Sequence, residues 1–252
     1  MIVGLIFVGL FVGVISGFFG VGGGMILVPM LMALGFDIKS AIAISTVQMV
    51  FSSVNGSLMN YRKGALDVGQ GIWVGIGGII GGVIGAGLTD LLPRKTLEYI
   101  FLALIVFALW RIVTAKKPHP DQEEGRFSSV ALFGIGLGIG IVAMMLGVGG
   151  SVMLTPILVG FLHFPTKKAA TAGLFFVVFS SIAGLGYKLA AGTFSDLSLS
   201  WTSVLSVSIA ALIGVMGGIA LKDRVHDTHH RLWLIGLYVV ILGLLLKKVF
   251  AG

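Results

Sequence analysis

Long apolar runs alternate with short polar clusters along the whole chain. Ile38 to Asn60 carries no charge after Lys39 and ends at Tyr61-Arg62-Lys63-Gly64. Val68 to Leu92, Leu97 to Val113, Phe127 to Leu146, Ala169 to Tyr187, Leu199 to Leu221 and Leu232 to Leu246 follow the same pattern. Each reads as a membrane helix, because a bilayer core of roughly 30 Å takes about 20 apolar residues. Residues 2 to 16 also read as apolar helix, but they run into Gly17-Phe-Phe-Gly-Val-Gly-Gly-Gly-Met-Ile-Leu-Val-Pro29. Glycine costs up to about 1 kcal/mol relative to alanine inside a helix, so this stretch predicts a break. A short second arm follows from Met25 to Leu34.

The broken segment recurs. Gly147-Val-Gly-Gly-Ser-Val-Met-Leu-Thr-Pro156 repeats Gly20 to Pro29 at an offset of 127 residues, with its own short arm from Val152 to Phe161. At an offset of 128, Phe51-Ser52-Ser53 falls on Phe179-Ser180-Ser181, Gly56 on Gly184, Gly64 on Gly192 and Trp73 on Trp201. Such self-similarity marks a duplication. It divides the chain into a first transmembrane repeat (1–114), a polar linker (115–126) and a second repeat (127–252). Two topologies compete. If each broken segment crosses once, Lys and Arg divide evenly between the two sides of the membrane. If each doubles back as a hairpin, eleven of the seventeen Lys and Arg lie on one side, as cytoplasmic loops require. The expected fold is therefore an all-α polytopic membrane protein built as an inverted repeat. Each half holds one glycine-broken hairpin and three transmembrane helices, with both termini outside the cytoplasm.

Composition narrows the function classes. Hydrophobic residues make up 57% and charged residues 11% of 252, too little polarity to coat a soluble globule. Basic residues between spans account for the net charge of +7, so no nucleic-acid partner is implied. The absence of cysteine excludes disulfides, thiolate metal sites and iron–sulfur clusters. Met-Ile-Val-Gly-Leu lacks a basic leader, which predicts a retained first helix. Glycine pairs four apart (Gly77/Gly81/Gly85, Gly78/Gly82, Gly134/Gly138) fit close helix packing in lipid.

Candidate chemistry gathers at the two breaks. Hairpins with arms of about ten residues, roughly 15 Å, bring their tips toward mid-membrane, where transporters hold substrate. Gly22, Gly23 and Gly24 in the first loop and Gly149, Gly150 and Ser151 in the second precede helix N-termini, whose free N–H groups favour an anion. Tight packing at a helix bend is the competing account of these glycines. Ser45, Gln48, Ser52 and Asn55 step by three, four and three, and so share one helix face. They are candidate hydrogen-bond donors to an oxyanion, with Ser180 in the second half, or else interhelical ties. No Asp, Glu, Lys or Arg lies near the middle of a span, so coordination would come from neutral dipoles. Asp90 and Asp223 end equivalent spans and read as interfacial, and the histidines at 226, 229 and 230 read as a solvated loop. No catalytic residue, metal site, cofactor or nucleotide-hydrolysis motif is expected, since no Lys-Ser/Thr follows the glycines. The chain is not expected to be an enzyme.

The paired motifs, followed by Lys39-Ser40-Ala41 and Lys167-Lys168-Ala169 at the span entries, resemble the sulfite exporter TauE/SafE family, also called toluene sulfonate uptake permeases. The resemblance covers the full length. It implies a secondary transporter of small sulfur-containing anions (sulfite, sulfoacetate or other organosulfonates) in the bacterial inner membrane. Its expected partners are a small anionic substrate and the lipid bilayer, with the proton as candidate coupling ion. A passive anion channel with the same loops and a membrane assembly factor are the rival classes. Nothing in the pattern speaks to oligomeric state.

Overall fold

The computed structural model describes residues 2–19, 22–62, 64, 68–114, 128–160, 166–197, 199–222 and 227–251, and among them all regular structure is helical. The helices of the first half are α1 (Ile2–Phe19), α2 (Gly24–Ala33), α3 (Ile38–Arg62), α4 (Val68–Leu91) and α5 (Arg94–Thr114). Those of the second are α6 (Ser129–Leu146), α7 (Ser151–Gly160), α8 (Thr166–Ala190), α9 (Thr193–Asp196), α10 (Trp201–Lys222) and α11 (Asp227–Ala251). Five of them are long and apolar enough to cross a membrane by length and composition, namely α3, α4, α6, α8 and α10. Exposed large apolar side chains cover their outer faces, among them Ile79, Ile80, Val83, Ile84, Ile209 and Ile213. That is the surface lipid solvates. The expected linker at 115–126 and the loop around Asp223 and His226 lie outside the described residues.

Several boundaries differ from the sequence reading. The first helix does not stop at Gly17 but continues to Phe19. A Cβ on Gly17 would collide with the backbone carbonyl of Val215, so this glycine serves helix packing, not the break. Helix α11 begins at Asp227, inside the stretch read as a polar loop. The short helix α9 was not foreseen. It explains a misalignment of the repeats. Gly81 meets the Leu137 carbonyl and Gly85 the Ile141 carbonyl, while Gly214 meets Leu10 and Gly218 meets Val14. Since Leu10 and Val14 are the counterparts of Leu137 and Ile141, α4 matches α10 at an offset of 133, not 128. Trp73 therefore does not correspond to Trp201. The five extra residues fall after Gly192, where α9 sits, and Gly64 and Gly192 keep the same left-handed turn (φ 65° and 73°).

The glycine stripes also fix helix directions. Gly77, Gly81 and Gly85 press on α6 at Phe133, Leu137 and Ile141, so α4 and α6 run parallel at backbone contact. Gly71 and Gly75 meet Phe175 and Phe179, and Gly87 meets Tyr187, so α4 and α8 are parallel as well. Helices α6 and α8 thus point the same way, and α7 must carry the chain back between them. On the other side Gly9, Gly13 and Gly17 climb α10 at Val207, Ala211 and Val215, which makes α1 and α10 parallel. Gly134 and Gly138, by contrast, have nothing within reach of a Cβ, so this pair does not hold helices together.

Contacts exchange in register between the halves. Helix α1 packs on α10 as α6 packs on α4, α2 on α3 as α7 on α8, and α10 on α3 as α4 on α8. Helices α3 and α8 meet each other at the centre, and α5 pairs with α11 outside. The buried core runs from Leu5, Val8 and Val12 of α1 through α2 and the start of α3, to Leu97, Phe101 and Ile105 of α5 and Tyr238 of α11. A second cluster joins Met49, Val74, Ile139, Met144, Leu154 and Phe176. Together they clamp the two short arms between the central helices.

Candidate functional site

Both loops turn on the same backbone device. Gly22 (φ 73°) and Gly149 (φ 70°), 127 residues apart, occupy the left-handed region, where a side chain costs about 1–2 kcal/mol. Gly23 (φ 57°) adds a second such residue and caps α2, whose Ile26 and Leu27 N–H groups donate to the Gly23 carbonyl at 3.1 and 3.0 Å. In the second loop Met153 and Leu154 donate to the Gly150 carbonyl at 3.1 and 2.8 Å. In the first loop the Gly24 N–H donates to the Gly22 carbonyl, which leaves the Met25 amide ahead of the intrahelical ladder, as the Ser151 and Val152 amides are in the second.

The two turns touch. A Cβ on Gly22 would lie 2.7 Å from Ser151 Oγ, and one on Gly149 would lie 3.1 Å from the Gly22 carbonyl oxygen. A Cβ on Gly24 would run into the Gly147 carbonyl and lie 2.6 Å from Ser45 Oγ. Gly24 and Ser151 hold equivalent positions in the repeat. The Gly147 carbonyl and Ser45 leave no room for a side chain at Gly24, and only the second half carries one at this position. Gly22, Gly23, Gly24, Gly149 and Gly150 are all buried. Gly150 is held by packing, since a Cβ there would meet the Phe176 ring and lie 2.7 Å from Ile139 Cγ2.

The polar row of α3 lies against this crossing. Ser45 Oγ donates to the Gly147 carbonyl at 2.7 Å and so ties α3 to the second loop. Gln48, fully buried, covers Gly23, where a Cβ would lie 2.6 Å from Nε2 and 2.7 Å from Oε1. Ser52 Oγ donates to its own helix at the Met49 carbonyl (3.3 Å), and Ser180 Oγ does the same at the Val177 carbonyl (3.4 Å). Asn55 is half-buried, further along the same helix. Gln48 stands ten residues from the start of α3, roughly 15 Å at 1.5 Å per residue, in a helix of 25 residues. The crossing is therefore at mid-helix depth.

Three polar atoms here lack partners. Gln48 Nε2, Gln48 Oε1 and Ser151 Oγ are buried and make no hydrogen bond among the described residues. Buried polar groups are nearly always paired, and an orphan costs about 1–3 kcal/mol. A donor, an acceptor and a hydroxyl thus converge where two glycine turns leave backbone exposed to close approach. The set is neutral. No group of three His, Cys, Asp or Glu able to hold a metal occurs among the described residues.

Other polar residues escaped the sequence reading. Thr89 Oγ1 donates to the Met145 carbonyl at 2.9 Å and joins α4 to the end of α6. Asp90 is not merely interfacial. Its Oδ1 stands 3.9 Å from Lys188 Nζ, and its backbone carbonyl accepts from Lys39 Nζ at 2.8 Å. Lys188 is not in a loop, because α8 runs on to Ala190 and buries it completely. A lysine at the end of an apolar run looks alike in sequence whether the helix stops before it or continues past it. At the head of α3, Asp37 accepts from the Lys39 and Ser40 N–H groups at 3.0 and 3.3 Å and from Ser40 Oγ at 2.6 Å. Partial burial alone would raise its carboxyl, but these bonds and Arg94 at 3.6 Å outweigh burial and hold it below its ordinary value.

An all-helical chain with two touching glycine turns at mid-depth, apolar outer faces and parallel glycine-sealed helix pairs is a multi-pass membrane protein of the transporter class. Residues 5–246 match the family model described as Sulfite exporter TauE/SafE, and the chain belongs to that family. It is 25% identical over 245 residues to the probable membrane transporter protein YunE of Bacillus subtilis (strain 168), covering 87% of this chain and 88% of that one. It is 26% identical over 246 residues to the probable membrane transporter protein MJ0441 of Methanocaldococcus jannaschii, covering 91% and 90%. The probable membrane transporter protein YdhB of Bacillus subtilis (strain 168) matches at 24% over 190 residues, covering 73% and 77%. No solved structure matches significantly.

Proposed function

We propose that this chain is a secondary transporter of small sulfur-containing anions, such as sulfite, sulfoacetate or another organosulfonate, across the bacterial inner membrane. The anion sits at the crossing of the two loops, held by first-turn N–H groups, the Gln48 amide and the Ser151 hydroxyl. Ser45, Ser52, Asn55 and Ser180 line the approach along α3 and α8. The observation that carries this reading is the set of buried polar atoms without partners at Gln48 and Ser151. The family's described substrate supplies the sulfur chemistry.

Alternating access follows from the same geometry. The directions of α1, α4, α6, α8 and α10 support an inverted repeat of residues 1–114 and 127–252, with each hairpin entering from its own side of the membrane. The end of the bundle that carries Arg62 and Arg111 faces the cytoplasm. Rocking of one half against the other would open the crossing to one side at a time. The test is uptake and efflux of radiolabelled sulfite in proteoliposomes, with and without a pH gradient. Saturable flux that falls sharply in Gln48→Leu is expected. Flux that does not saturate and appears as unitary conductance would mean a passive channel instead, and full flux in Gln48→Leu would remove the crossing from the path.

A further inference from the structure

We propose that the cluster where α4 and α8 end together is a second anion-binding site, an outer station for a small oxyanion on its way to or from the loop crossing. The proposal rests on the transport reading above and names residues that reading does not use. Lys188 is 0% exposed, and its ammonium makes no hydrogen bond among the described residues. Its nearest carboxylate oxygen, Asp90 Oδ1, is 3.9 Å away, beyond hydrogen-bond reach. The other carboxylate oxygen accepts from Thr193 Oγ1 at 3.3 Å, which draws the group toward α9. Lys39 Nζ donates to the Asp90 backbone carbonyl at 2.8 Å, which brings a second ammonium group to the cluster. Three donors on a buried ammonium, loosely neutralised and unbonded, fit the oxygen face of a sulfite or sulfonate.

Packing does not demand this lysine. The 128-residue offset that aligns Ser52 with Ser180 places Asn60 opposite Lys188 and Lys167 opposite Lys39, and the 133-residue offset places Asp223 opposite Asp90. The first half closes the equivalent helix end with a neutral amide. Lys188 is twelve residues beyond Phe176, which packs on Gly150 at the crossing, roughly 18 Å along α8. The Asp90 side chain is 32% exposed, so the carboxylate that neutralises Lys188 is also the one water reaches. An arriving oxyanion takes the ammonium, Asp90 swings out toward Thr193 and Lys39, and the carboxylate returns when the anion leaves.

The test uses the purified full-length chain with Trp73, Trp110 and Trp233 replaced by Phe. Trp201 then reports alone, stacked at 4.9 Å on Phe194, the residue that follows Thr193 in α9. Sodium sulfite is titrated against sodium chloride at equal ionic strength. A saturable, sulfite-specific change in Trp201 fluorescence is expected. Lys188→Asn, which copies the residue of the first half, should abolish it. Asp90→Asn, which removes the resident competitor, should tighten sulfite binding about tenfold, the size of an ordinary coupling between sites. A structural ion pair predicts the opposite, because losing Asp90 would then loosen the cluster and weaken any response. Unchanged affinity in Lys188→Asn, or weaker binding in Asp90→Asn, overturns the station. If Asp90→Asn does not fold, Lys188→Asn decides alone. A failure of the transport reading shows elsewhere, as sulfite flux indifferent to Gln48→Leu.

Discussion

Replacing Gln48 by Leu and Ser151 by Ala should stabilise the ligand-free protein while destroying its function. Gln48 Nε2 and Oε1 and Ser151 Oγ are buried without partners, and the two residues are 0% and 1% exposed. Each orphaned polar group costs about 1–3 kcal/mol, so Ser151→Ala should gain about 1 kcal/mol and Gln48→Leu about 2 kcal/mol in unfolding free energy. Leucine keeps most of the glutamine's volume and favours a helix, so neither a cavity nor a lost propensity offsets the gain. The assay is equilibrium or thermal unfolding in detergent micelles, with and without sulfite. In a Lys188→Asn background, where only the crossing is left to bind, sulfite at a hundred times its Kd should stabilise the protein by about 2.7 kcal/mol, and that increment should vanish when either substitution is added. Residues that merely tie the bundle together behave oppositely. If either variant unfolds more easily than the wild type, or keeps its sulfite-dependent gain, these atoms are structural and the crossing is not the binding site.

Other positions make separate tests. Gly22→Ala and Gly149→Ala should each cost about 1–2 kcal/mol from the left-handed turn alone, and each should cost more than that because Ser151 Oγ at 2.7 Å and Met49 Sδ at 2.8 Å stand where the new Cβ atoms would go. Unfolding midpoints would rank them. Gly81→Leu should separate α4 from α6, since its Cβ position is already occupied by the Leu137 carbonyl; loss of folded protein in detergent is expected, whereas Gly138→Leu, with open space around it, should be tolerated. Asp37→Ala removes the acceptor that caps α3 and should cost about 1 kcal/mol. Because the folded-state carboxyl of Asp37 lies below its ordinary value of 3.8, its contribution is complete above that value and disappears as the pH falls below it. The difference in stability between wild type and Asp37→Ala should therefore shrink in acid and stay constant between pH 5 and pH 8.

What was legible in the sequence was whatever depends on local pattern. The charge-free runs gave the five helices α3, α4, α6, α8 and α10, while the expected spans at 97–113 and 232–246 fall short of the same length and hydropathy among the described residues; the matched Gly-Val-Gly-Gly segments gave the two breaks, because glycine takes the φ values near 70° at Gly22 and Gly149 without strain. The three-four-three spacing put Ser45, Gln48 and Ser52 on one buried face, since helical periodicity needs no tertiary information. Features set by distant partners were illegible. Gly17 and Gly22 look alike in sequence, yet one meets a neighbouring helix's carbonyl and the other turns the chain. Helix α9 shifts the repeat by five residues without an apolar run to announce it, and so the tryptophans were paired wrongly. Lys188 was missed because its burial depends on how far α8 continues and on where α4 delivers Asp90.

The departures from symmetry are the more informative part of the duplication. Where the halves cross, equivalent positions approach each other, and a Cβ on Gly24 would already meet Ser45 Oγ at 2.6 Å. The Gly147 carbonyl and Ser45 Oγ fill the space a side chain at Gly24 would need, so the first copy must be glycine there while the second carries Ser151. Once that choice is made, hydrogen-bonding capacity becomes one-sided. Gln48 faces the crossing from α3, and the 128-residue offset puts Phe176 at its place on α8, where the ring packs against Gly150. The crossing therefore has a polar wall on α3 and an aromatic wall on α8. On the proposed transport of a sulfur anion, an organosulfonate would set its oxygen face against one wall and its apolar substituent against the other, whereas sulfite would use only the polar one. Comparing sulfite with an alkyl sulfonate in the same flux assay reads this directly. Phe176→Ala should weaken the sulfonate several-fold more than sulfite, and an equal loss for both would show that the aromatic wall serves packing alone.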